Sequence, residues 1–239
     1  MAELCFRGEP ACDGAALLAA VRAVRPSVTC LAETPLALAD EGVTVVVNPP
    51  SGVRPEEPPD LSQTWAWSDA ADVLATTTHT LLVGEVAGDG PAPDRVAFFR
   101  DVLRAVIVHT GPIGTWWPAA RLALPPDEVD ERPLAGFVNV RMFRVEDRPG
   151  YVVMDTLGLA CLGLPDLQCY FTGLDPRQMA RLLYGAAAYL VDGAVIGPGD
   201  TVRGIEPGQL WPVMYAAALV EPERDVLDLY PGPDHAGAD

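Results

Sequence analysis

A single carboxylate, Asp155, lies in the apolar stretch "YVVMDTLGLACL" and is the residue of this sequence best placed to do chemistry. A carboxylate among apolar residues needs charged or hydrogen-bonding partners, or its pKa shifts. The preceding stretch, "VNVRMFRVED", supplies Arg141 and Arg144, and the turn signal "RPG" folds the two stretches back on each other. Arg141 then comes close to Asp155 or to Thr156, depending on a strand register that the sequence does not fix.

These four residues, Asp155, Thr156, Arg141 and Arg144, define a candidate buried polar site. Its favoured interpretation is structural, a satisfied ion pair or hydrogen bond. The alternative is a charged cleft in which Asp155, Arg141 and Thr156 act on a small molecule, because perturbed ionisable groups cluster at functional sites.

Other catalytic constellations are weak in this sequence. A thiol enzyme would need Cys161 or Cys169 beside His109, yet both cysteines lie in apolar stretches that are typical of buried cysteine. The sequence contains no zinc-binding His/Glu motif, no Cys/His cluster and no glycine-rich phosphate-binding motif. We therefore predict no catalytic residue, no metal site and no cofactor, and we lean against an enzyme.

Strands and helices alternate irregularly along the chain, with hairpins in the last third. The stretch "DPRQMARLLYGAAAYLVDG" predicts a helix with Asp175 as its N-cap and Pro176 at its first position. This pattern predicts an α+β fold, an antiparallel or mixed sheet with helices packed on it, and two ferredoxin-like halves are compatible with it.

Five prolines between Asn48 and Gln63 interrupt this pattern and indicate a boundary. We predict an N-terminal strand–helix–strand unit over 1–55, a Pro-rich linker or loop over 56–64, an α+β domain over 65–230 and a disordered tail over 231–239.

The composition limits the classes of partner. The formal net charge is -17, and all 16 basic residues are arginine. This balance argues against nucleic acid and against anionic membranes, and it favours a protein partner, in one version a basic one. Five cysteines with no C-x-x-C spacing, an N-terminus without a signal-peptide pattern and the lack of a long apolar run predict a cytoplasmic protein.

The five tryptophans are the candidate interface residues, because exposed aromatic side chains are enriched in protein interfaces. Trp65 and Trp67 would share one face of a strand, whereas the adjacent Trp116 and Trp117 would point to opposite faces. Trp211 completes the set.

The segments "VNVRMFRVED", "DTLGLACLGLPDLQCYF" and "PRQMARLLYGAAAYLVDG" follow one another over Leu134 to Gly204. In its T-L-G-L and G-L-P-D-L signatures this region resembles the bacterial family called domain of unknown function 4261. The resemblance implies a bacterial cytosolic α+β protein and supplies no catalytic residue.

Three functions follow as hypotheses. The leading one is a non-catalytic binding or accessory protein, in one version an acidic immunity- or antitoxin-like protein that covers a basic enzyme. The others are an enzyme acting on a small molecule around Asp155, Arg141 and Thr156, and a homo-oligomeric scaffold whose apolar strands pair across subunits.

Overall fold

A computed structural model describes residues 1–52 and 59–236, with Ala87 described by its backbone alone. The chain forms two compact units, Met1–Gly136 (unit 1) and Phe137–Asp239 (unit 2). Each unit contains its own sheet and at least one long helix, so the expected α+β fold is confirmed. No helix in the described ranges has the length and apolar character needed to cross a membrane.

Unit 1 is built on one seven-stranded antiparallel sheet in the order β2-β3-β4-β5-β1-β6-β7. In chain order its elements are β1 (Ala2–Phe6), α1 (Gly14–Val24), β2 (Thr29–Glu33), β3 (Leu36–Asp40), β4 (Val43–Val47), α2 (Ala70–Leu74), β5 (His79–Gly88), α3 (Ala92–Thr110), β6 (Gly114–Trp117) and β7 (Leu122–Leu124).

Four central strands of unit 1, in the order β4-β5-β1-β6, have the ferredoxin-like arrangement. The chain passes through β1, α1, β4, β5, α3 and β6 in turn, and α1 packs against α3. Apolar side chains from β1 and both helices are fully buried, including Leu4, Leu17 and Val102. Burial of this surface is the main driving force for folding the unit.

Unit 2 has a six-stranded mixed sheet in the order β11-β12-β13-β10-β9-β8. Its elements are β8 (Asn139–Arg144), β9 (Tyr151–Leu157), β10 (Asp166–Thr172), α4 (Pro176–Val191), β11 (Thr201–Arg203), β12 (Leu210–Ala217) and β13 (Asp225–Leu229). The pair β10–β13 is parallel, and the others are antiparallel. With one α-helix in its described part, unit 2 lacks the ferredoxin-like arrangement that was compatible with its sequence.

Helix α4 covers β8, β9 and β10, and its sequence explains its start and its buried face. The Asp175 side chain accepts a hydrogen bond of 2.9 Å from the Arg177 amide, and Pro176 occupies the first turn, as predicted. Met179, Leu183 and Ala187 follow one another at four-residue spacing and are fully buried. The opposite side of α4 is left to form the groove described below.

The boundary between the two units differs from the domain boundaries predicted from the sequence. Strands β4 and β5 flank the Pro-rich stretch and pair in one sheet, whereas the division between units falls at Gly136. Residues 56–58 of the expected linker and 237–239 of the expected tail lie outside the described residues. Within the tail, the carbonyl of His235 accepts a hydrogen bond of 2.8 Å from the amide of Thr172 in β10.

Candidate functional site

Four polar residues stand directly opposite one another across four strands of unit 2. Arg141 on β8 pairs with Asp155 on β9, Asp155 with Gln168 on β10, and Gln168 with Asp228 on β13. Residues that are directly opposite point to the same face of a sheet. The row therefore runs across one face, while Met154 and Cys169, which alternate with it, are fully buried on the other.

Arg141 and Asp155 form a two-pronged ion pair inside this row. Arg141 Nε donates to Asp155 Oδ1 at 2.9 Å, and Nη2 donates to Oδ2 at 2.5 Å. The side chains are 3% and 0% exposed, so the pair is shielded from water. Arg141 Nη1 donates to the carbonyl of Glu221 at 2.8 Å, which ties the pair to the connection between β12 and β13.

Arg224 adds a second cation beside this row, and the row together with Thr156, Asp166 and Arg224 is called the cluster below. All five N–H groups of Arg224 have acceptors. Its Nη2 donates to Asp155 Oδ2 at 2.6 Å and to the carbonyl of Thr156 at 3.0 Å. Its Nε donates to Asp166 Oδ2 at 3.2 Å. Its Nη1 donates to two carbonyls of the neighbouring connection, those of Val220 and Pro222. A guanidinium has five such donors, so none remains for a ligand.

Asp166 is the second carboxylate, at the start of β10. Its Oδ1 accepts from the Thr156 hydroxyl at 3.1 Å and from the Leu159 amide at 3.2 Å. The Thr156 hydroxyl oxygen in turn accepts from the Leu167 amide at 2.8 Å. Two arginines, Arg141 and Arg224, thus form ion pairs with two aspartates, Asp155 and Asp166.

Residues 218–224 link β12 to β13 and are called the connection below. Hydrogen bonds from the cluster fix their position. The Leu219 amide donates to Gln168 Oε1 at 2.7 Å, and Gln168 Nε2 donates to Asp228 Oδ1 at 3.1 Å. Together with the carbonyls that accept from Arg141 and Arg224, these bonds fix the connection against the polar row. Buried polar groups that are satisfied in this way make one chain arrangement specific rather than offering a reactive group.

Burial raises the pKa of Asp166 above 3.8, even though the Arg224 charge and the hydrogen bonds from Leu159 and Thr156 act in the opposite direction. A carboxylate whose pKa is raised on folding stabilises the folded state at low pH, and this contribution is lost as the pH rises through the raised pKa.

We therefore expect Asp166→Asn to flatten this part of the pH dependence of stability. Relative to the variant, the wild type should lose stability as the pH rises from 3.8 through the raised pKa. Urea denaturation midpoints of both proteins, measured across that interval, provide the test. Parallel midpoints of the two proteins throughout would contradict the assignment.

The structure brings together three of the four residues of the predicted polar site. Asp155, Thr156 and Arg141 belong to the cluster, whereas Arg144 is exposed at the end of β8 and lies outside it. Arg144 is three positions from Arg141, so strand alternation turns it to the other face.

Four further members were missed by sequence analysis, namely Asp166, Gln168, Arg224 and Asp228. Asp166 and Gln168 are polar residues within the otherwise apolar strand "DLQCYF", a signal of the same kind as the one that identified Asp155. Arg224 gave no comparable signal, because it reaches the cluster only through the parallel pairing of β10 with β13.

The tryptophans do not form one exposed surface. Trp117 and Trp211 are buried, Trp116 is half-buried, and Trp65 is 49% exposed. Trp65 and Trp67 do not share a strand face, since they lie in successive turns, and Trp67 packs in a small cluster with Ala70 and Ala123. Of the five, Trp65 alone is exposed.

A groove of about 960 Å³ lies in unit 2, between the outer side of α4 and residues 195–205, which include β11. Its α4 wall carries the apolar residues Leu182 and Ala186, with Gly185 between them. A Cβ built on Gly185 meets no atom within 4 Å, so the groove is open at this point.

Two arginines line the groove, Arg181 on α4 and Arg203 on β11. Both are exposed, and within the described ranges neither guanidinium has an ion-pair or hydrogen-bond partner. The groove carboxylate of Asp200 already accepts from the Gly197 amide at 2.8 Å. The groove therefore offers unused cationic donors, unlike the saturated cluster.

A second cavity, of about 190 Å³, lies in unit 1 beside Glu3, Cys5, Thr77 and Trp116. Burial raises the pKa of Glu3, and it raises the pKa of Cys5 to about 12. The Cys5 thiol is then protonated at neutral pH and is a poor nucleophile. Across residues 1–52 and 59–236, no group of three or more His, Cys, Asp or Glu side chains could hold a metal ion.

Residues 155–230 match the family model described as Domain of unknown function (DUF4261). The resemblance noted in the sequence is thereby confirmed, although the matched range begins later and ends later than Leu134–Gly204. The DUF4261 segment contains α4, β11, the connection and every cluster residue except Arg141. No curated protein and no solved structure matches the chain.

Proposed function

We propose that this protein is a non-catalytic binding protein and that the groove of the DUF4261 segment is its contact site for a protein partner. The observation that carries the proposal is the contrast between two sets of arginines. Arg141 is buried, Arg224 is mostly buried, and both are engaged with aspartates and backbone carbonyls. Arg181 and Arg203, in contrast, line an open groove without partners among the described residues. Unpaired guanidinium groups on a concave surface favour recognition of a ligand.

The geometry weighs against the enzyme alternative around Asp155, Arg141 and Thr156. Asp155 is 0% exposed, and both of its oxygens accept hydrogen bonds from arginine. A general base must reach the proton that it removes, so it needs a free lone pair beside the substrate. Asp155 has no such access to a substrate, because its side chain is fully buried.

The net charge of the whole chain and the charges inside the groove favour partners of opposite sign. The net charge of -17 favours a basic partner, as an immunity- or antitoxin-like role requires. Inside the groove, however, positive charges outnumber negative ones, with Arg181 and Arg203 against Asp200. Screening limits charge interactions to about 8 Å at physiological salt, so the groove arginines dominate what binds between them. An immunity- or antitoxin-like role stays a prediction.

We also propose a bacterial, cytoplasmic setting, in keeping with five cysteines of which no two are at C-x-x-C spacing. The competing proposal is that the protein forms a homo-oligomer through unit 2. Leu210 and Met214 are apolar and largely exposed on β12, next to the edge strand β11. Light scattering of the purified chain separates these cases, because a binding protein of this kind is predicted to be monomeric without its partner.

Filling the groove should abolish capture of the partner. Gly185 is helical and exposed with open space around its missing Cβ, so Gly185→Trp places an indole ring in the groove without straining α4. The matched control is Gly185→Ala, which removes the helix-destabilising glycine and adds a single methyl group. The immobilised full chain would be exposed to lysate of its source organism, and the retained proteins identified by mass spectrometry.

The proposal expects one stoichiometric partner that wild type and Gly185→Ala retain and Gly185→Trp loses. Charge reversal in Arg181→Glu/Arg203→Glu should also lose it, whereas Arg144→Ala, on the far edge strand, should not. A partner retained equally by the Gly185→Trp variant would place the contact elsewhere and overturn the proposal, as would the absence of any specific partner.

A further inference from the structure

Strand β11 lies at the edge of the unit 2 sheet, with β12 on one side. The pairing register determines which backbone groups of β11 form hydrogen bonds with β12. The Gly204 amide donates to the Gln209 carbonyl at 3.0 Å, and the Val213 amide donates to the Asp200 carbonyl at 3.0 Å. Val202, which lies midway and faces Trp211, is therefore also at a hydrogen-bonded position.

The intervening residues, Thr201 and Arg203, occupy the positions that are not hydrogen-bonded to β12. Their N–H and C=O groups consequently point away from the sheet, toward its free edge. The residue opposite Thr201 is Pro212, whose lack of an N–H is compatible with a position that is not hydrogen-bonded to β11. An unpaired strand edge of this kind is a template for a further strand.

All three residues of β11 belong to the lining of the groove. Helix α4 forms the other wall with Leu182, Gly185 and Ala186, a set of small and apolar side chains. A groove between an open strand edge and a helix suits an extended peptide, because the edge supplies main-chain hydrogen bonds and the helix supplies contacts for alternate side chains.

We propose that an extended, acidic segment of a partner protein adds to β11 as a seventh strand of the unit 2 sheet and lies in the groove against α4. The acidic character follows from Arg181 and Arg203, one on each wall and both unpaired in the described part of the chain. Carboxylates of the segment would form charge-assisted hydrogen bonds with these guanidinium groups. The inference rests on the proposed function and specifies its ligand.

The test uses pools of fluorescein-labelled synthetic octapeptides and the full-length protein, with binding followed by fluorescence anisotropy. In the acidic pool, Asp or Glu alternates with Val, Ile or Leu, and in the matched basic pool Lys or Arg replaces the acids. Two further acidic pools carry N-methyl groups on every second residue, in the two alternative phases. N-methylation removes a main-chain donor from the peptide and leaves the protein unchanged.

We expect the acidic pool to bind at least about tenfold more tightly than the basic pool, the effect of losing a charge-assisted hydrogen bond. One N-methylated phase should lose about tenfold or more and the other should bind like the parent, because only alternate residues of an added strand face β11. The Gly185→Trp variant should bind none of the pools.

Equal binding of acidic and basic pools, equal effects of both N-methyl phases, or no binding of any pool would overturn strand addition. These results differ from failure of the proposed function. If Gly185→Trp still loses the lysate partner while no peptide pool binds, the groove binds a folded surface, and the proposed function stands without the strand.

Discussion

Replacing Asp155 with asparagine lowers the free energy of unfolding of unit 2 by about 3–5 kcal/mol, the cost of removing one partner from a buried ion pair. Both oxygens of Asp155 accept from guanidinium groups, so the amide of asparagine would face arginine donors with a donor of its own. Arg141 and Arg224 would keep their charges, although the Arg141 side chain is only 3% exposed and the Arg224 side chain 13%. The variant should therefore be poorly folded rather than folded and inactive.

Alkylation of Cys169 measures this effect within unit 2. Cys169 is 0% exposed on β10, and burial raises its pKa, so the folded thiol reacts slowly. Under conditions where reaction follows the unfolded population, labelling of Cys169 should accelerate about 10²-fold or more in the variant. Buried Cys5 reports on unit 1 in the same experiment.

The matched control is Asp225→Asn, the same chemical change at an exposed position on β13. It should shift Cys169 labelling little, since exposed substitutions usually change stability by less than about 0.5 kcal/mol. If Asp155→Asn labelled no faster than this control, the ion pair would not contribute to stability as described, and the enzyme alternative would regain weight.

Replacing Arg224 with methionine has an effect of similar size, about 3–5 kcal/mol, for the complementary reason. Methionine fills much of the volume of the arginine stem but donates no hydrogen bonds. Asp155 and Asp166 would then share a single cation, Arg141, which contacts Asp155 alone of the two. Three carbonyls, two of them in the connection, would also lose their donor.

The connection should respond first in the Arg224→Met variant. Hydrogen–deuterium exchange of 218–224 is predicted to accelerate under conditions where β10 and α4 still exchange slowly, because Arg224 joins the connection to the sheet. Arg177→Met, an exposed arginine replaced in the same way, is the control. Unchanged exchange in 218–224 would show that other contacts hold the connection in place.

The local features of unit 2 could be predicted from the sequence. The turn after β8, the return of β9 and the start of α4 at Pro176 all depend on residues close in the chain, where alternation and capping act directly. The contact of Arg141 with Asp155 was within reach for the same reason, since a single hairpin joins them. Its register was not, because a slip of one residue satisfies the same turn signal.

The remaining features depend on chain segments that are distant in sequence. Arg224 reaches Asp155 from 69 positions away through the pairing of β10 with β13, which no local pattern specifies. The groove likewise exists only because β11 returns beside α4. Without that placement, the sequence shows Arg181 only as an exposed arginine on an amphipathic helix. It shows Gly185 only as a residue that lowers the stability of that helix.

The most direct test of the groove as the binding site is hydrogen–deuterium exchange of the full chain, free and with the captured partner bound. We expect slower exchange within 195–205, above all at the outward-facing amides of Thr201 and Arg203, and no such change when the partner is mixed with Gly185→Trp. Protection confined to unit 1 or to the connection, with 195–205 unaffected, would contradict it.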